Sequence, residues 1–292
     1  MENGGIAVLA TNLQARTQGT LFQEEKALVS VGLLGFVIAL FCGMWVLFQG
    51  SFVFPEGDMS KAFSFNAALG IFLISTAAVL PLSGMRPKRR IVFRRTFVLL
   101  SLYAYVVETV QHFRGVNPRF SASEAVLDNV LGTGFALVAL LMVISYGYMC
   151  AHFFRKGMTE RRPELILGIR YAAVAIFFSF AAGFGMSALQ SSMTGGEDDL
   201  LWVHGLGFHA LQLLPIVGWL AERTTFPTSV RRRLVHGAGL LFLCSLLLLG
   251  WQIARGESIF AWSALPIAAG ASLLCIGVIA WALVRNLRTS LR

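Results

Sequence analysis

The sequence predicts an all-α, polytopic integral membrane bundle of about eight transmembrane helices, with both termini in the cytoplasm. Three observations predict it. Only 13% of the 292 residues are charged and 56% are apolar, whereas a soluble globular chain carries about a quarter charged residues. The apolar residues gather into eight long stretches, with mean hydropathy +0.70 over the chain. The basic residues fall in every second loop between those stretches.

A run of about 18 apolar residues spans the hydrocarbon as a helix, because a helix satisfies its own backbone there. Eight such runs are expected at roughly 27–49, 62–84, 96–112, 129–151, 166–189, 201–221, 234–253 and 259–284. The connections are short, so neighbouring helices pack antiparallel. The chain then divides into a cytoplasmic N-terminal segment (1–26), an eight-helix transmembrane domain (27–284) and a cytoplasmic basic tail (285–292). The first 26 residues lack the basic and apolar regions of a removable signal, so span 1 is expected to act as an uncleaved anchor.

Charge orients the bundle. The 85–95 loop holds Arg86, Lys88, Arg89, Arg90, Arg94 and Arg95, and further Arg/Lys clusters occupy 152–165, 222–233 and the tail. The alternate loops hold only Lys61, Arg114, Arg119 and Arg255, together with Glu56, Asp58, Glu124, Glu197, Asp198, Asp199 and Glu257. Basic loops stay in the cytoplasm. The net charge of +9 therefore reads as an orientation signal and a contact for anionic lipids, and nucleic acid is not an expected partner. A bacterial cytoplasmic (inner) membrane is the expected location.

Several elements carry packing signals. Span 5 gathers Ala181, Ala182, Gly183, Gly185, Ser187 and Ala188, a face that lets backbones approach. Span 7 runs into near-continuous leucine and is expected to face lipid or to dock a partner. Cys42, Cys150, Cys244 and Cys275 lie within spans, with no paired spacing, and read as packing residues. No internal repeat is evident, so an inverted-repeat transporter plan has no support.

Ionisable groups inside hydrocarbon cost about 2.5–3.5 kcal/mol each on insertion scales and need a reason. Arg170, His152 and His236 sit near the cytoplasmic interface and read as structural, with Arg170 snorkelling to headgroups. The outer end is richer. Glu108 and His112 are four residues apart on span 3 and share a face, with Gln111 beside them. On span 6, His209 and Gln212 share a face, whereas His204 lies about 140° around from His209. Gly205 and Gly207 thin the helix between the two histidines. Glu108, Gln111, His112, His204, His209 and Gln212 are the candidate ligand or cofactor residues. A haem or transition metal would take its ligands from His204, His209 and His112. Such a haem- or metal-binding, redox-linked protein, with its site near the outer face between spans 3 and 6, is the leading expectation; the alternatives are a proton-coupled or small-molecule transporter or sensor, or a structural or assembly subunit of a membrane complex held by hydrogen bonds of these groups. A hydrolase reading ranks lowest, because no nucleophile stands beside a base.

Glu108-x-x-Gln111-x-x-Arg114-Gly115, Phe120, Asp128, Ile169-Arg170, Asp199-Leu200 and His204-x-x-Gly207-x-His209-Ala210-Leu211-Gln212-x-x-Pro215 together resemble the pattern of an uncharacterised family of bacterial multi-pass membrane proteins. The resemblance covers about residues 61–225, and His112 stands outside the shared pattern. It implies bacterial origin and a shared architecture, and it brings no assigned activity.

Overall fold

The computed structural model describes residues 22–119, 125–158, 162–189, 191 and 200–290. Phe120, Glu124, Arg161, Glu197, Asp198, Asp199, Arg292 and nearly all of the N-terminal segment lie outside the described residues. Eight helices run in chain order: α1 (Lys26–Gln49), α2 (Met59–Val79), α3 (Pro87–Phe113), α4 (Val126–Phe153), α5 (Pro163–Leu189), α6 (Leu201–Ala221), α7 (Thr228–Ala254) and α8 (Ala264–Ser290). Seven are long and apolar enough to cross a membrane. The other, α3, has the length (27 residues) but starts in arginines and ends in Glu108, Gln111 and His112. An all-α polytopic bundle is therefore the architecture.

Two helix starts differ from expectation. Helix α3 begins nine residues before the apolar run, because Pro87 occupies its first position, where the missing N–H costs nothing. Helix α8 begins at Ala264, after a turn at 258–263 in which Ser263 Oγ donates to Gln252 Oε1. A short hairpin, β1 (Phe52–Val53) and β2 (Gly57–Asp58), joins α1 to α2 and lies on the end of α3.

The chain is built of two similar halves, contrary to the repeat-free reading of its sequence. Helix α1 packs most extensively on α2, as α5 does on α6. Helix α3 pairs with α4 and also touches α1 and α2, whereas α7 pairs with α8 and touches α5 and α6. Across the halves α2 meets α6. Helices α3 and α7 are both 27 residues long. One constant separation in sequence relates Arg90 to Arg231, Gln111 to Gln252, Arg114 to Arg255 and Gly115 to Gly256. The repeat is parallel, since each half has four helices and starts and ends on the same face.

The repeated residues do the same work twice. Glu25, fully buried just before α1, accepts from Arg90 Nε at 2.5 Å, and Arg94 lies 3.4 Å from its other oxygen. Glu24 also pairs with Arg90. Burial alone would lower the Arg90 pKa, but the two carboxylates outweigh it and the net shift is upward. In the second half buried Glu164 stands 3.5 Å from Arg231. At the far ends, Gly115 N–H donates to His112 O (3.1 Å) and Val116 N–H to Gln111 O (2.9 Å). Gly256 N–H donates to Ile253 O (2.8 Å) and Glu257 N–H to Gln252 O (3.2 Å). Both are Schellman motifs, and both glycines have φ +74°.

Hydrocarbon supplies no hydrophobic drive between helices, so close packing and interhelical hydrogen bonds hold them. Added Cβ atoms would sit 2.3 Å from Leu214 O at Gly168, 2.3 Å from Glu164 O at Gly218 and 2.1 Å from Ser179 Oγ at Gly207. The small residues late in α5 contribute one such contact, Gly183 against the His204 ring. Where the halves meet, Phe72 of α2 packs on Phe208 of α6 (5.0 Å) and on Tyr146 of α4 (4.7 Å), and Phe208 packs on Phe180 (5.5 Å). Of the seven apolar helices, α4 and α8 are the least covered by the rest of the bundle, with 6% and 17% of their most apolar stretches buried. The leucine-rich α7 reaches 33%, because Gly239 seats it against the Tyr171 ring. Arg170 caps α4 rather than snorkelling: its Nε donates to Phe153 O at 2.8 Å. All four cysteines are free; Cys42 and Cys150 are buried, and Cys244 and Cys275 are exposed.

Candidate functional site

The candidate residues of span 3 form a buried polar face in the first half. Tyr105, Glu108 and His112 recur at three- and four-residue spacing on α3, with Thr109 alongside. Glu108 is 0% and His112 1% exposed. Opposite them are Gly35 and Cys42 of α1 and Asn66 of α2. Gly35 has no side chain because the Tyr105 hydroxyl occupies its place, 2.2 Å from where a Cβ would stand. Asn66 Nδ2 donates to Thr109 Oγ1 at 3.0 Å and lies 3.9 Å from Cys42 Sγ.

The ends of this face are tied to loops. Asp58 N–H donates to His112 Nδ1 at 3.0 Å, so the neutral ring carries its proton on Nε2. That Nε2 stands 3.4 Å from Glu108 Oε1, an ion-pair distance without hydrogen-bond alignment. Arg119 folds back from the α3–α4 connection and donates to the same Oε1 at 2.5 Å. Its guanidinium lies over Phe65 (5.2 Å) and Phe135 (5.6 Å). Among the described residues, four buried polar atoms of the face have no hydrogen-bond partner: Asn66 Oδ1, Tyr105 OH, Glu108 Oε2 and His112 Nε2. Buried polar groups are normally paired, so unpaired ones call for an explanation such as a water, an ion or a role in function.

Gln111, also expected here, serves the cap. Its Nε2 donates to Asp128 Oδ1 at 3.0 Å, and Arg114 pairs with Asp128 at 2.7 Å and with the Gln111 carbonyl oxygen. In the second half Gln252 Nε2 donates to Ser258 O at 3.0 Å. Gln111 is thus half of a repeated structural device.

The second half is an internal control for the first. At the places that correspond to Tyr105, Glu108, Thr109 and His112, helix α7 has Leu246, Leu249, Gly250 and Ile253. The architecture therefore does not require a polar face there.

The span 6 residues lie elsewhere. His204 Nδ1 donates to Ser179 O at 2.7 Å, and Ser179 Oγ donates to His204 O at 2.7 Å, which bolts α5 to α6. His209 Nδ1 lies 3.2 Å from Gln212 Oε1, and Gln212 Nε2 donates to Ser75 Oγ of α2 at 2.8 Å. Helices α3 and α6 are not one of the packed pairs. Glu108 and His209 thus belong to separate hydrogen-bond sets. Among the described residues, no three His, Cys, Asp or Glu side chains converge in a way that could hold a metal ion. Asn66 and Tyr105 were not singled out in the sequence, Cys42 was read only as a packing residue and Arg119 only as a loop charge. Asn66 in an apolar span was the readable signal.

No family model matches the chain, and no curated protein or solved structure matches it either.

Proposed function

We propose that this multi-pass membrane protein handles protons as part of a carrier or sensor, with Glu108 as the group that exchanges the proton and His112 as its neighbour. The observation that carries this reading is the contrast between the halves. One buried face of α3 holds a carboxylate, an imidazole and a phenol with unsatisfied atoms, where the corresponding positions of α7 hold leucine and isoleucine. Intramembrane ionisable groups that packing does not require mark ion and proton paths. Arg119, paired with Glu108 and 30% exposed at its own side chain, is the route by which a proton would enter the face.

A haem or metal role is less well supported. His112 Nδ1 is taken by Asp58 N–H, and His204 Nδ1 by Ser179 O. The His112, His204 and His209 set therefore offers no convergent ligands. The basic loops support a cytoplasmic basic face against anionic lipid in a bacterial inner membrane. That leaves the Glu108 face toward the other side.

Infrared difference spectroscopy of the protein in nanodiscs, stepped between acid and neutral pH, tests the proposal. A protonated-carboxyl band that disappears in Glu108→Gln and shifts in His112→Gln is the expected result. A spectrum without any band lost in Glu108→Gln overturns it.

A further inference from the structure

The polar set on α6 points to a ligand that comes from the bilayer itself. His209 is exposed on a stripe of α6 that also carries Trp202, Gly205, Ile216 and Trp219. Trp202, Ile216 and Trp219 are 48%, 54% and 38% exposed. Lipid covers such a stripe. His209 lies eight residues into the helix, about 12 Å from its end at 1.5 Å per residue, well inside a hydrocarbon core of about 30 Å. A titratable ring facing hydrocarbon at that depth needs a partner. Gly205, one turn away on the same stripe, has no atom of the described residues within 4 Å of where a Cβ would be. Space for that partner is therefore open beside the ring.

The hydrogen-bond chain fixes what the partner must offer. Ser75 Oγ donates its proton to Ile71 O at 2.7 Å, so toward Gln212 it can only accept. The Gln212 amide must present its N–H₂ to Ser75 and its oxygen to His209. A carbonyl oxygen accepts only, so His209 carries its proton on Nδ1. Nε2 of the neutral ring is then an acceptor on an exposed side chain, with no partner among the described residues. It calls for a hydroxyl donor. Glycerolipid hydroxyls stay at the headgroups, whereas quinols carry theirs on a molecule dissolved in the bilayer interior.

We infer that His209, held by Gln212 and Ser75 where the two halves meet, is a lateral binding site for a lipid-soluble hydroxyl donor of the quinol class. The site is independent of the Glu108 face, since it shares none of its partners. Its position between α2 of one half and α6 of the other makes ligand binding sensitive to how the halves sit.

Equilibrium binding of ring-labelled decylubiquinol, kept reduced under argon, to the protein in nanodiscs tests the site. Its di-O-methyl ether, which has no hydroxyl, is the control ligand. Saturable binding of the quinol, with the ether at least about tenfold weaker (about 1.4 kcal/mol), is the expected result. His209→Ala and Gln212→Leu should erase that preference. Quinol and ether binding equally to the wild-type protein overturns the inference without any variant. So does uptake that never saturates, or a quinol preference that persists in His209→Ala.

Discussion

Gly115 and Gly256 end the third helix of each half at the same φ of +74°, one residue after an arginine and four after a buried glutamine. A Cβ at Gly115 would sit 1.9 Å from Phe54 O, because the 52–58 hairpin rests on that turn. Gly115→Ala should therefore cost clearly more than the roughly 1–2 kcal/mol of left-handed backbone strain alone. Thermal unfolding in detergent would show the excess as a lower Tm than the wild type.

The polar face should be dispensable for folding. Glu108→Leu combined with Tyr105→Leu, His112→Ile and Arg119→Leu copies onto α3 the residues α7 already uses, and removes the arginine that would lose its partner. Replacing buried ionic groups by apolar ones of similar size is often neutral or stabilising by about 1–4 kcal/mol. The expected variant is folded, at least as heat-stable as the wild type, and without the carboxyl band. A variant that fails to insert or unfolds early would make the face structural.

Asp128 anchors the α3–α4 connection through Gln111 and Arg114. Asp128→Ala leaves a buried amide N–H unpaired, a loss of about 1–3 kcal/mol. A double-mutant cycle with Gln111→Leu should recover part of that loss, because the second change removes the orphaned group. Purely additive losses would mean that the two side chains do not interact.

The two basic-face ion pairs should act independently. Glu25→Ala and Glu164→Ala each remove a fully buried carboxylate from one or two arginines. Their pairs share no residue, so their effects should add within about 0.3–0.5 kcal/mol. Unfolding of the single and double variants measures this directly, and a large coupling term would mean the halves communicate across the basic face.

Much of this architecture was legible in the sequence, for identifiable reasons. Hydrocarbon demands length and apolarity, so eight helices stand out at nearly their observed positions. The Glu108–His112 face and the His209–Gln212 pairing follow from helical spacing alone. What escaped depends on tertiary contact. Arg114 and Arg119 fold back only because Gly115 turns the chain, and that turn gives no hydropathy signal. Glu108 and His209 looked like members of one site because both lie near the same expected membrane face, but depth says nothing about which helices are neighbours. The repeat was hidden because lipid-facing side chains interchange freely, leaving only the ion pairs and helix ends as a common trace.

The parallel repeat also bears on how the molecule is assembled. Each half has an even number of helices, so it begins and ends on one side of the bundle and is a self-contained unit. The chain is in effect a covalent dimer of unequal subunits, and the 154–162 connection supplies proximity rather than topology. Once joined, the two subunits no longer have to serve the same purpose. One can keep aliphatic side chains and hold the scaffold, while the other is free to carry charge.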